Sequence, residues 1–542
     1  MKKTYISIGL VLLLGMGSCE KSSFLNQPPL SFTNPESFFK TESDLKVALV
    51  GCYDPINTSN VPGAFVPDGT YSRGLLYILG GGTDEVVPNT SSELADFGRL
   101  SYLPSNSPLS ALWAAYFAGI NRCNLLIEKA EDVNMDATKK SHIIAETRFL
   151  RAFYYYHLTV CFGGVPFITS SIPAGNTPRQ SVEKIYGLIT EDLNFAYTTL
   201  TNNPTFIGGA NKWTAGGYLG VVYNYLSSCK RFQVSESLAF PLNSFSWVNE
   251  IEMSQKAKTV LEDVVNNSGY VLLEKAKYSY LFRETTKADQ YRECLFLAQS
   301  SSSITDEYPE ISNFPIPNGD RNTYGGGYGR LRPTRELYNS FNANDDRRTQ
   351  NITGAYSSAS GKEIINGATY YLPAVANTAS AINWCAGKFR CRDPKEKTIP
   401  ASATSLNYPL LRYADILLQY AEAIYFNGDE ATARTYFTEI RRRAVKTGIN
   451  VGTLNLAYYK ADFIEELLDE RKRELCFETK RRIDLIRFNK LETALMSINP
   501  AASLLNAQAR DMQTNYSYFK IWLPIPITQI DINPNLVQNP GY

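Results

Sequence analysis

The chain has 542 residues, 44% of them hydrophobic and 20% charged, a composition of folded globular protein rather than disordered chain. Formal net charge is +1, and loss of Lys2 and Lys3 with a leader would shift it by only two, which argues against a polyanionic partner held by bulk charge. The excess lies in aromatics: 35 Tyr beside 27 Phe and 5 Trp, and a phenol both stacks with its face and hydrogen-bonds with its tip.

Residues 1–18 read as a secretory signal peptide. Lys2 and Lys3 make a basic start, Ile6 to Leu14 an apolar run too short to span a bilayer, and Gly15, Gly17 and Ser18 a small-residue approach to Cys19. That approach resembles a bacterial lipobox, in which Cys19 becomes the lipidated N-terminus; Met16 stands where Leu is commoner. Residues 19–35 are polar, contain Pro28, Pro29 and Pro35, and read as a tether. No other apolar run reaches about 18 residues.

A helix is expected at 42–54. Residues 55–107 read mostly as loop, punctuated by Pro55, Pro62, Pro67, Gly80 to Gly82, Pro88 and Pro104. A loop of that length inside a folded chain is usually functional. Helical periodicity resumes at 109–132, where Trp113, Tyr116, Ile120 and Asn124 share a face. It continues at 138–161, a stretch stopped by Gly163-Gly164, and then at 181–200, 214–229 and 252–267. Alternating helices of this kind predict a superhelix of helix pairs.

From 270 to 405 the character changes. Val271-Leu272-Leu273 and Cys294 to Leu297 are candidate strands. Gly325 to Gly329 (GGGYG) is a flexible stretch and not a phosphate loop, because no helix opening on Lys-Ser/Thr follows. Asp345 to Arg348 is expected to close a helix that includes Leu337 and Phe341.

The densest patterning lies in 408–489. Ile416, Leu417, Tyr420, Ala421 and Ile424 keep helical period until Asn427-Gly428, and a second helix carries Ala433 and Phe437. The small residues and the Ala-x3-Phe spacing are those of a tetratricopeptide unit, which buries its apolar face only by stacking on other helix pairs. Arg471 to Phe488 interleaves Glu474, Glu478 and Asp484 with seven Arg and Lys, three or four apart in many cases. It reads as a helix laced by surface ion pairs. The last segment, with Pro524, Pro526, Pro534 and Pro540, reads as extended chain laid back over the core.

Four blocks carry a family resemblance: RFLRAFYYYHLTVCFGGVPFI from Arg148 to Ile168, LRYADILLQYAEA from Leu411, ELCFETKRRIDLIRF from Glu474, and the terminal LPIPITQIDINPNLVQNPGY. They closely resemble the SusD/RagB family of nutrient-binding outer-membrane lipoproteins and run almost from end to end of the mature chain. The resemblance implies a mainly α fold, a superhelix of tetratricopeptide-like helix pairs with long irregular loops and a few short strands. It also implies an N-terminal SusD-like helical region over 36–269 and a C-terminal SusD/RagB region over 270–542 on the same scaffold. The implied activity is that of a cell-surface lipoprotein in the outer membrane. It would capture oligosaccharide or polysaccharide and deliver it to a SusC-type TonB-dependent transporter. The RagB-like alternative takes peptide.

No catalytic, cofactor or metal motif accompanies this. His142 and His157 lie on one predicted helix, about four turns or roughly 22 Å apart, too far to share a metal. The nine Cys include no CxxC; Cys385 and Cys391 are close enough in sequence for a bridge, which spacing alone does not decide. Asp84-Glu85 and Asp306-Glu307 are the loop acids that a secreted glycoside hydrolase, the weaker reading, would need. The chain is therefore read as a binding protein without cofactor, not as an enzyme. A sugar ring has an apolar C–H face and a hydroxyl rim, so its site is expected on loop aromatics flanked by polar groups. Trp384, Tyr324, Tyr328, Tyr308, Tyr71, Tyr77 and Phe97 are the candidates, with Arg73, Asp84, Asn89 and Arg330 beside them and Trp384 foremost.

Overall fold

The apolar periodicity of the first half produces six long helices that pack one on the next in chain order: α1 (Glu42–Tyr53), α2 (Ser107–Ala130), α3 (Ala137–Phe162), α4 (Val182–Thr199), α5 (Lys212–Arg231) and α6 (Glu250–Asn267). The computed structural model describes residues 38–56, 75–88, 94–300, 316–396, 404–501 and 506–542. The leader, Cys19, the tether, Tyr71, Arg73, Asn89, Asp306, Glu307 and Tyr308 lie outside the described residues.

Polar residues start these helices where the sequence breaks period. Thr41 and Asp44 form a reciprocal capping box on α1, Asp136 accepts from the Lys139 N–H, and Asn211 accepts from Trp213 and Thr214. Small residues set how closely neighbours approach. A Cβ on Gly119 of α2 would lie 2.6 Å from the Tyr154 ring of α3, and one on Gly220 of α5 would lie 2.4 Å from Leu261 of α6. Tyr154, Tyr155 and Tyr156 are all buried with Phe149 and Phe153, so this run of α3 is core, not surface.

The series passes from α6 to α7 (Tyr413–Phe426), which pairs with α8 (Glu430–Ala444) across a three-residue turn. Gly428 in that turn has φ +92°, the left-handed value that closes α7, and Ala433 and Phe437 are fully buried against the pair. Helix α9 (Phe463–Leu475) packs on both α7 and α8, and α10 (Arg481–Arg487) follows it. The helix-pair fold expected from the sequence is therefore present.

Between α6 and α7 the chain forms short strands: β2 (Cys294–Ala298), β3 (Leu331–Pro333), β4 (Ile352–Thr353), β5 (Lys362–Ile365), β6 (Ala368–Tyr371), β7 (Cys385–Ala386) and β8 (Tyr408–Arg412). All pair antiparallel: β2 with β8, β4 with β7, β5 with β6, and β3 with β1 (Val86–Pro88). The strand expected at Cys294 is present, and its partner β8 is fully buried. Val271-Leu272-Leu273 is not a strand; Val271 N–H donates to the Arg292 carbonyl and Leu273 N–H to the Glu293 carboxylate.

Two further expectations need correction. The described part of 55–107 is less loop than expected. It holds the short helices Leu75–Gly80 and Leu94–Arg99 and strand β1, with Leu75 through Val87 buried. Leu337 lies in a five-residue helix (Arg335–Asn339) that ends before Phe341. Asp345 does not close it but turns inward, bidentate on Arg347. The C-terminal segment does lie back over the first half, as expected. Leu523 N–H donates to the Cys161 carbonyl (2.8 Å), and Arg179 donates to Gly164, Val537 and Asn539. It includes one short helix, Ile527–Ile532, that the prolines had concealed.

The charged block departs most from expectation. Of the pairs this block makes, Arg473–Glu470, Lys472–Asp469 and Arg487–Asp484 keep the helical spacing of three. The others reach across the fold and are buried. Arg412 of β8 lies 2.7 Å from Glu474, 2.8 Å from Glu478 and 3.1 Å from Glu293. Glu474 also meets Arg443 of α8 (2.6 Å) and Arg347 (2.9 Å), and Glu478 meets Lys388 (2.6 Å). Burial works against ionisation of Glu470 and Glu474, yet the surrounding arginines hold both far below the ordinary carboxylate range. Charges this deep are tolerated only when paired, so the block acts as an internal clamp between α8, α9 and the strand region.

Candidate functional site

The sequence candidates separate on burial. Trp384 is fully buried: its ring stacks on Tyr338 at 4.5 Å and its Nε1–H donates to the Asn377 carbonyl at 2.9 Å. Tyr77 and Phe97 are buried as well, Phe97 stacked on Tyr102 at 5.3 Å. None of these rings offers a face to a ligand here, because each face is already covered by protein. Trp384 in particular is a packing residue beneath Tyr338, which corrects its place as foremost platform.

Asp84 and Glu85 lie in the bend before β1, but both are buried rather than exposed. Asp84 takes both Nε and Nη2 of Arg481 at 2.7 Å and Lys472 at 3.2 Å. Burial opposes its charge, but Arg481 and Lys472 hold the carboxyl well below its usual range. Glu85 accepts the Phe477 N–H at 2.6 Å, and burial pushes its pKa up to about 8. Their roles are structural, and no pair of exposed acids remains at this place.

The turn 316–333 is different. Pro88 at the end of β1 sits opposite Leu331 of β3, so the chain entering 89–93 starts beside Arg330. Gly329 N–H donates to the Ile316 carbonyl and Gly327 N–H to Pro317, so the chain leaving 301–315 arrives at the same turn. The glycines make this possible. Gly325 and Gly329 have φ +66° and +53°, and a Cβ on Gly326 would lie 2.5 Å from the Gly319 carbonyl. Asp320 caps the short helix Arg321–Tyr324 that opens the turn. Beneath it, Arg332 donates to the Trp384 carbonyl at 2.8 Å.

On this turn Tyr328 is 50% exposed, with the Arg330 guanidinium 5.3 Å from its ring centre. Tyr324 is half-buried and packs edge-on against Tyr371 at 5.2 Å. Of the described candidates the fold thus places Tyr324, Tyr328 and Arg330 on one surface turn, close to Pro88 and Ile316. Tyr371, which packs on Tyr324, and Tyr338, which packs on Trp384, escaped the sequence reading: a lone Tyr in a short strand or helix carries no periodic signal.

The eight described cysteines are unbridged and buried, Cys385 and Cys391 included. Among the described residues no cluster of His, Cys, Asp and Glu has metal-site geometry, and no helix is long and apolar enough to cross a membrane.

Comparison with known proteins decides the family. A sequence profile of the SusD family matches residues 292–542, and a second profile, described as starch-binding associating with outer membrane, matches residues 87–224. The chain belongs to the SusD-like family. A curated SusD-like relative, SusD-like protein P2 of Formosa agariphila, is 28% identical over the whole of both chains. A SusD superfamily protein from Bacteroides vulgatus has the same fold, with TM-score 0.70 at 22% identity over 93% of this chain and 100% of that one. So does surface glycan-binding protein A from Bacteroides thetaiotaomicron, solved in complex with laminarihexaose, with TM-score 0.67 at 20% identity over 92% and 100%. In this SusD-like protein the two profiles fall on either side of α6, and the candidate turn lies within the SusD family match.

Proposed function

We propose that this SusD-like protein captures oligosaccharide or polysaccharide at the cell surface and delivers it to a SusC-type TonB-dependent outer-membrane transporter. The observation that carries the reading is the exposed Tyr328 ring with Arg330 against it, on the glycine turn within 316–333. A half-exposed ring with a guanidinium over it suits a sugar, whose C–H face stacks on an aromatic while its hydroxyls bond to the cation. Relatives described as starch-binding or solved with a laminari-oligosaccharide support the cargo class. Tyr324 contributes a second ring; Tyr71, Arg73, Asn89 and Tyr308 are further candidates from the sequence and lie outside the described residues. Binding rather than turnover is favoured because Asp84 and Glu85 are committed inside the fold.

The test is a binding screen of the purified protein against malto- and laminari-oligosaccharides, other glycans and a peptide library. Saturable glycan binding with no hydrolysis supports the reading; binding of peptides alone replaces it with the RagB-like one. Anchoring rests on Cys19, and Cys19→Ala is expected to move the protein out of the membrane fraction. Gentle solubilisation of the native membrane is expected to bring a β-barrel transporter with it.

A further inference from the structure

A cavity of about 500 Å³ opens between the 3-10 helix Lys275–Phe282, the short helix Arg347–Asn351 and the segment after β6. Its volume falls in the range of small-molecule sites. None of Tyr324, Tyr328 and Arg330 lines it. Leu372, Pro373 and Val375 supply an apolar lining, and Gln350, Thr353 and Arg390 a polar one. The polar lining is incomplete. Gln350 Nε2 and Thr353 Oγ1 are buried and have no hydrogen-bond partner, although Thr353 is only 3% exposed. Buried polar atoms normally find partners, so two orphans on one cavity point to a missing polar ligand.

The charges around the cavity do not balance. Lys275 is paired with Asp346 at 2.7 Å. Arg347 and Arg443 have Asp345, Glu474 and Glu293 behind them. Arg390 and the fully buried Arg283, by contrast, share one carboxylate, Glu363, at 3.6 and 3.3 Å. Burial and the neighbouring Arg283 pull the Arg390 pKa down to about 10, so it stays charged at neutral pH while lacking a full counter-charge.

We propose that this cavity is a second binding site, for an acidic saccharide unit. The sugar's carboxylate pairs with Arg390, its hydroxyls accept from Gln350 Nε2 and meet Thr353 Oγ1, and its C–H face lies on Leu372 and Pro373. Guanidinium–carboxylate pairing gives the charge preference and the orphaned side chains give the preference for a polyol over a plain acid.

The probes are D-glucuronate, D-glucose and acetate, titrated into the full mature chain and read by ligand-observed NMR. Glucuronate is expected to bind at least about tenfold more tightly than glucose or acetate, and added salt is expected to weaken it. Arg390→Gln is expected to lose about tenfold. Because Arg390 is buried and its loss can impair folding, two variants at less buried positions accompany it. Gln350→Ala, and Val375→Trp at the 80% exposed rim, are each expected to weaken glucuronate severalfold with unchanged melting temperature. Tyr328→Ala is expected to leave glucuronate binding intact. The proposal is overturned if glucuronate binds no better than glucose or acetate, if both Gln350→Ala and Val375→Trp bind it as the parent does, or if Tyr328→Ala abolishes it.

Discussion

Arg481 grips Asp84 through two parallel 2.7 Å hydrogen bonds, joining the second helix of the charged block to a stretch almost four hundred residues earlier in the chain. The bidentate geometry fixes both position and orientation, and Lys472 adds a second cation at 3.2 Å. The relationship anchors β1, and through β1 the turn that carries Tyr328.

Asp84→Asn is therefore expected to destabilise the fold by about 3–5 kcal/mol, because it leaves two buried cations without their partner. Asp84→Asn combined with Arg481→Met is expected to cost less than the sum of the two single changes. Chemical denaturation of the four proteins of this cycle measures the coupling. The Asp84 carboxyl is held below its ordinary 3.8, so its contribution is complete above about pH 4 and is lost as pH falls further.

Two buried acids act in the opposite sense. Burial raises Glu85 from 4.5 to about 8 and Glu146 from 4.5 to about 7, the latter despite accepting hydrogen bonds from Tyr53 and Thr205. Both bind a proton more tightly folded than unfolded. Their stabilising share is present below the unfolded value of 4.5 and is lost as pH rises through about 7 to 8. The melting temperature of Glu85→Gln with Glu146→Gln is expected to vary less than the parent's across that window. Equal slopes in a pH series of thermal melts would refute the assignment.

Trp384 and Tyr328 separate packing from binding. Trp384→Ala removes a fully buried ring and is expected to cost about 3–5 kcal/mol of stability. Tyr328→Ala removes a half-exposed one and is expected to leave the melt nearly unchanged while weakening glycan binding by about 1–3 kcal/mol. Calorimetric titration alongside thermal denaturation of both variants distinguishes the two roles.

Glu474 is the shared counter-ion of Arg412, Arg443 and Arg347. Glu474→Gln is expected to be more damaging than loss of a surface pair such as Lys256–Glu252, by about 3–5 kcal/mol against under about 1 kcal/mol. Urea unfolding of the two variants gives the comparison.

The sequence by itself determined the long helices. Apolar period, capping residues and Gly428 are local signals, and α2 to α8 fall within a few residues of where those signals put them. It also carried the family resemblance, since long blocks such as LRYADILLQYAEA survive as contiguous text. What only the tertiary structure decided was which polar and aromatic side chains face water. Trp384 and Tyr328 look alike in a Gly- and Pro-rich stretch, but one lies beneath Tyr338 and the other projects from a glycine turn. The charged block looked like a solvated helix face because local spacing allows pairs three or four apart. Its carboxylates instead meet Arg412, Arg443 and Arg347, brought in from elements distant in sequence. Burial and ion pairing of this kind depend on contacts between remote segments, and a local pattern holds no information about those.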